Sequence, residues 1–170
     1  SITLKNHQNK KIIVWGLHEF QNYRDDVDYR LCRDEDDLLI KFLDTWSMIY
    51  PDIITGWNTE FFDIPYICNR IKNLFSEDFM HKLSPWNNVF AKEVYQMGRR
   101  HQVYSIQGVS ALDFFDLYRK FTYTNQESYR LDHIANVELG QRKVAHDEFE
   151  NFKDFYTKDW QKFIDYNIVD

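Results

Sequence analysis

Two periods organise the apolar positions. Lys11–Leu17 (Lys-Ile-Ile-Val-Trp-Gly-Leu) is an apolar run of strand length. Residues 21–37 are polar, with acids at 25, 26, 28 and 34–37, and read as a solvated loop leading into a helix. Asp34 or Asp36 is expected to be the N-cap, since acids suit the first turn of a helix. Leu38, Leu39, Phe42, Leu43, Trp46 and Ile49 follow at helical spacing, as far as the stop at Pro51. Asp52–Trp57 reads as a short buried strand. Asp63–Phe75 carries Ile64, Ile67, Cys68, Ile71 and Leu74 on one stripe and predicts a helix with Pro65 in its first turn. A second short helix is expected over Glu77–Leu83. Val89–Ile106 holds two alternating runs around Met97-Gly98-Arg99-Arg100, the pattern of a hairpin with a basic tip. Val109–Phe114 predicts a strand and Asp116–Phe121 a helix. Helices are also expected over Tyr129–Leu139, capped by Ser128, and over Lys158–Asp170. Strands alternating with helices imply an α/β fold, and the hairpin makes its sheet mixed.

Length and composition narrow the class. One compact domain is the expectation for 170 residues, and 44% hydrophobic residues suffice for a core. Aromatic residues are plentiful (14 Phe, 11 Tyr, 5 Trp), more than such a core needs, so some rings are expected on a working surface. The net charge of −6 excludes a module that holds nucleic acid by bulk charge alone. It leaves room for an enzyme whose carboxylates bind metal ions, because the ion inverts the local sign. Two cysteines make neither a disulfide framework nor a zinc site, and a reducing compartment fits. No apolar run approaches membrane-spanning length and the first residues are no signal peptide, so a non-membrane, cytoplasmic protein is expected. The histidines show no ligand spacing, and five glycines are too few for a phosphate-cradling loop.

Three residues stand where chemistry is expected. Hydrolysis of a phosphodiester by two metals needs carboxylates converging from different elements, with the ions roughly 3.5–4 Å apart. Magnesium takes oxygen ligands, and ligands of open α/β sheets gather at strand ends. Asp63 follows the strand Asp52–Trp57 through a short loop and opens a helix; a plain N-cap is the alternative. Tyr166 and Asp170 are four residues apart on the last expected helix, hence on one face. There a carboxylate can bind metal while the phenol orients water. A core-edge tyrosine and an exposed acid is the alternative.

Thr55-Gly-Trp-Asn-Thr-Glu-Phe-Phe-Asp-Ile-Pro-Tyr66 resembles the second exonuclease motif of family B DNA polymerases, and Tyr166-Asn-Ile-Val-Asp170 resembles their third. Between them, Leu112–Phe121, Phe121–Gln126 and Tyr129–Ile134 are similar, in order, to the replicative polymerases of T-even-like bacteriophages. The resemblance implies a ribonuclease H-like 3′–5′ proofreading exonuclease, flanked by helices and bearing a protruding hairpin over about residues 89–106. It implies Mg²⁺ or Mn²⁺ as cofactor, with Asp63 and Asp170 as metal ligands and Tyr166 positioning the attacking water. The substrate would be the single-stranded 3′ end of a DNA primer. Phe61 and Phe62 would stack on the frayed bases, core packing being the alternative for one of them, while Arg99, Arg100 and Lys143 would contact phosphates.

The family's first motif, an Asp-x-Glu on an apolar strand, has no counterpart upstream of Lys11. Asp34-Glu35-Asp36 places acids two apart, but in an acidic loop. The expectation is therefore a single, incomplete domain, an internal piece of a phage DNA-directed DNA polymerase, inactive by itself. Its partners would be the remainder of that polymerase and, through it, the sliding clamp and replisome proteins. Two other readings stay open: a noncatalytic DNA-binding or docking piece of a split polymerase, and a free-standing exonuclease of the same superfamily.

Overall fold

A computed structural model describes residues 1–96, 98–141, 149 and 151–169. The chain divides into two compact units, residues 1–42 with 130–170, and residues 43–129.

In the first unit, β1 (Ile2–Lys5) pairs antiparallel with β2 (Ile12–Gly16), Ile2 opposite Trp15. β2 pairs parallel with β3 (Val27–Leu31), Ile12 opposite Val27. Side chains alternate across a strand, so β2 buries both of its faces. Ile12, Val14 and Val27 pack with Phe155 of α6 (Phe152–Lys158) and with Phe163 and Ile164 of α7 (Trp160–Val169). Trp15, fully buried, meets Phe42 of α1 (Glu35–Ile49) edge-on, the ring centroids 5.5 Å apart. A Cβ at Gly16 would lie 2.1 Å from the Tyr29 hydroxyl, so a side chain there would force that ring to shift. That hydroxyl donates to the His18 carbonyl and accepts from Trp160 Nε1–H at 3.1 Å. α5 (Leu131–Leu139) completes the unit, closed by Gly140 in the left-handed region at φ 65°.

In the second unit, β4 (Ile53–Gly56) and β7 (Ser110–Asp113) pair parallel, Gly56 opposite Asp113. Between them in sequence come α2 (Asp63–Leu74), α3 (Glu77–His81), and the antiparallel pair β5 (Val89–Gln96) and β6 (Arg99–Ile106). Cys68 and Ile71 on α2 and Val103 on β6 are fully buried. Tyr104 Oη donates to Asn69 Oδ1 at 2.6 Å, tying β6 to α2. α3 is capped by Ser76, whose hydroxyl accepts Phe79 N–H. The buried Trp46, on the C-terminal part of α1, donates its indole N–H to the Leu83 carbonyl at 2.7 Å. α4 (Phe114–Phe121) follows β7 directly.

Several expectations need correction. β3 lies inside the stretch read as loop, and β1 and α6 carried no expectation of order. Strand β4 is not buried: Ile53 is 57% exposed. Ile49 and Leu74 continue the helical stripes but lie exposed at the ends of α1 and α2. Ser128 does not cap α5, which starts at Leu131 with Arg130 as N-cap. Asp34 rather than Asp36 caps α1, accepting Asp37 N–H at 2.8 Å. The strands form three small sheets among the described residues rather than one mixed sheet.

Candidate functional site

Strand β4 ends at Gly56 and the chain turns into the segment that carries Asp63. Asn58 sits in the left-handed region, φ 64°, a conformation asparagine tolerates better than most residues. One turn then forms ahead of the helix: Phe62 N–H donates to the Asn58 carbonyl at 3.1 Å and Ile64 N–H to the Thr59 carbonyl at 3.0 Å. Asp63 is thus the first residue of α2 and not its N-cap, a position held by Phe62 without a side-chain cap. Its carboxylate is exposed at the positive end of a helix dipole, where negative charge is favoured.

Rings flank this acid on both sides. Phe62 and Tyr66 lie nearly parallel, 14° apart with centroids at 6.5 Å, and are 65% and 59% exposed. Phe61 turns the other way and packs edge-on against His101 of β6 at 5.3 Å. Lys92 of β5 approaches Glu60 at 4.0 Å, a loose, solvent-accessible pair worth little. The β5–β6 ribbon therefore touches the Asp63 segment through residues on both of its strands. A cavity of about 140 Å³ is lined by Ile54, Glu60, Ile64, Lys92, Tyr104 and Ala111, among others. Burial pushes the Tyr104 phenol above its usual range.

Arg99 and Arg100 are exposed where the ribbon turns, with Gly98 at φ 74°. Arg100 lies 3.7 Å from Glu93 across the strands. Tyr166 belongs to the other unit, on α7. Its ring is partly buried, edge-on to Phe152 at 6.3 Å and to Phe155 at 5.7 Å. Lys143 and Asp170 lie outside the described residues.

Sequence reasoning passed over Asp113. It is 7% exposed, at the end of β7. Its Oδ1 accepts Asn58 N–H and Phe115 N–H, both at 2.9 Å, and its Oδ2 accepts Glu60 N–H at 3.0 Å. One carboxylate thus caps α4 and holds the loop before Asp63. The cap was legible as an Asp between a strand and a helix; the grip on a loop 55 residues away was not. Nearby, Trp57 donates its indole N–H to the Tyr129 carbonyl at 3.1 Å and packs edge-on against Phe115 at 5.6 Å.

Among the described residues, no group of three or more His, Cys, Asp or Glu side chains is arranged to hold a metal ion. No helix there is long and apolar enough to cross a membrane.

Comparison with known proteins bears on the same segments. The profile of "DNA polymerase family B, exonuclease domain" matches residues 2–134, which include Asp63, Asp113 and the β5–β6 ribbon. The chain is 40% identical over 146 residues to the DNA-directed DNA polymerase of Escherichia phage RB69, covering 86% of this chain and 16% of that protein. It is 39% identical over 150 residues to that of Enterobacteria phage T4, covering 88% and 16%. The DNA polymerase delta catalytic subunit of Candida albicans is 31% identical over 116 residues, covering 64% of this chain and 11% of that protein. The chain spans about a sixth of the length of its phage relatives. With the family profile matching most of its length, the chain belongs to the exonuclease domain family of the family B DNA polymerases.

Proposed function

We propose that this chain is the proofreading part of a phage DNA-directed DNA polymerase, a ribonuclease H-like 3′–5′ exonuclease acting on the single-stranded 3′ end of a primer. One observation carries the reading: Asp63 stands exposed on the first turn of α2, at the mouth of a strand-to-helix loop, beside the exposed Phe62–Tyr66 ring pair. A carboxylate is what a divalent ion needs, and flat exposed rings are what unstacked bases need.

Each residue has a task in this reading. Phe62 and Tyr66 stack on the terminal bases and hold the scissile phosphate near Asp63. Arg99, Arg100 and Lys143 neutralise phosphates as the strand approaches. The Tyr166 phenol holds the attacking water. Asp63 and Asp170 would supply oxygen ligands to Mg²⁺ or Mn²⁺, an ion that would acidify the water and neutralise the leaving oxygen. The Asp63 carboxylate is the hard oxygen donor that such an ion takes. The family's Asp-x-Glu carboxylates have no equivalent in this sequence. On that ground the chain by itself is expected to hydrolyse little DNA, and the remainder of the polymerase is its obligatory partner.

The test is Asp63→Ala in the polymerase carrying this domain. Excision of 3′-terminal nucleotides from a single-stranded oligodeoxynucleotide should fall by at least about 100-fold, while nucleotide addition stays near the unaltered rate. Excision surviving at the normal rate would show that Asp63 is not a metal ligand of the nuclease.

A further inference from the structure

We propose that Asp113 is a positioning residue for excision: it holds the loop that aims the Asp63 carboxylate. The proposal rests on the functional reading of Asp63 given above and adds to it a residue that touches no substrate.

A buried carboxylate is retained only where its lone pairs are used, because taking the charge out of water is costly. Asp113 uses both oxygens, and each of its three donors is a backbone N–H. Two of these, from Asn58 and Glu60, lie in the six residues between β4 and α2. The loop they hold is connected to Asp63 by two further hydrogen bonds, Phe62 N–H to the Asn58 carbonyl and Ile64 N–H to the Thr59 carbonyl. Asn58 keeps a left-handed backbone that the surrounding bonds must maintain. The third donor, Phe115 N–H, fixes the carboxylate to the start of α4. Asp113 also lies opposite Gly56 in the β4–β7 register, so its position is set by the sheet. The start of α2 is thereby referred to a strand end through one side chain. Charge-assisted bonds of this kind are short and strong, and they fix geometry as well as energy. A displacement near 1 Å at a reacting group costs roughly 100-fold in rate.

Asparagine at this position keeps the shape and loses an acceptor. Its amide nitrogen would face a backbone N–H, donor against donor, on one side of the group. Asp113→Asn is therefore expected to release the loop without emptying the site. In the polymerase carrying this domain, the kcat for excision from a single-stranded oligodeoxynucleotide should fall about 10- to 100-fold. The rate of nucleotide addition should stay unchanged, and KM for that oligonucleotide should change by less than kcat, since Phe62 ends the same loop. Hydrogen exchange followed by mass spectrometry should show faster exchange in peptides covering residues 56–62, with β6 and the C-terminal half of α2 as protected as before. The pair of variants separates the two claims. If Asp63→Ala retains excision, the functional reading falls and this proposal with it. If Asp63→Ala is inactive but Asp113→Asn keeps its kcat, only the positioning role is overturned. It is also overturned if the variant raises KM alone, loses nucleotide addition, or exchanges faster throughout residues 43–129, since those outcomes assign Asp113 to DNA binding or to folding.

Discussion

Asp37 shows what a single side chain does for this chain away from the candidate site. It sits in the first turn of α1, where Lys41 Nζ comes within 2.8 Å, Arg33 N–H donates at 3.0 Å and Arg33 Nη2 lies 3.3 Å away. The Lys41 ammonium, helped by the Arg33 backbone N–H, holds its carboxyl at about 2. An aspartate in an unfolded chain titrates near about 3.9. A depressed carboxylate adds stability above the unfolded value and loses it as pH falls toward the folded one. Asp37→Asn should therefore lower the melting temperature at pH 7, and the two proteins should converge between about pH 4 and pH 2. Thermal denaturation across that range, followed by circular dichroism, checks it; a constant difference down to pH 2 would remove Asp37 as the source. At this scale the sequence offered candidates. Asp63 was picked out by its place after a strand, and Phe62 by its neighbour. Asp113 was hidden because its importance comes from two donors more than 50 residues away, which no local pattern encodes.

Helices were legible where one face is buried over most of their length. The stripes of α1 and α2 recur at helical spacing, and their middles are buried as that spacing requires. β3 escaped because Val27, Tyr29 and Leu31 alternate with Asp28 and Arg30, which pair with each other at 2.8 Å on an exposed edge. Charges on edge strands discourage further pairing, and they also disguise the strand as a loop. α5 starts late because Tyr129 is engaged elsewhere: its carbonyl takes the Trp57 indole, and its ring lies 5.4 Å from the Arg119 guanidinium. The β5–β6 ribbon carries its own prediction. We propose that its basic turn, with the exposed Arg99 and Arg100, helps part primer from template. Deleting residues 97–100 should slow excision from paired primer ends at least about 10-fold more than from single strands, since only the paired end needs separating. Steady-state excision on the two substrates measures it, and equal loss on both would mean a folding defect.

For the whole molecule, each compact unit contains one cysteine, and both thiols are buried. Cys32 is 1% exposed in the first unit and Cys68 is 0% exposed in the second. Burial pushes Cys68 up to about 12 and raises Cys32 as well. The thiolate is the nucleophile, so a raised and inaccessible thiol is inert. Neither cysteine should be alkylated by iodoacetamide at pH 8 in the folded chain, and both should react in urea. Peptide mass spectrometry reads each site separately. Intermediate urea that exposes one thiol before the other would give the relative stability of the units. Labelling of either under native conditions would contradict its packing.

The sequence by itself determined the order of most elements and the family, and it nominated Asp63 and Phe62 as candidates. Those follow from local periods and from motifs whose residues are adjacent in the chain. The tertiary structure alone decided how the strands are shared among sheets, that Phe62 is exposed while Phe61 turns to His101, and that Asp113 grips the loop before Asp63. Pairing and burial of this kind depend on which distant segments meet. A hydrogen bond across 55 residues leaves no periodic trace in the residues between its ends.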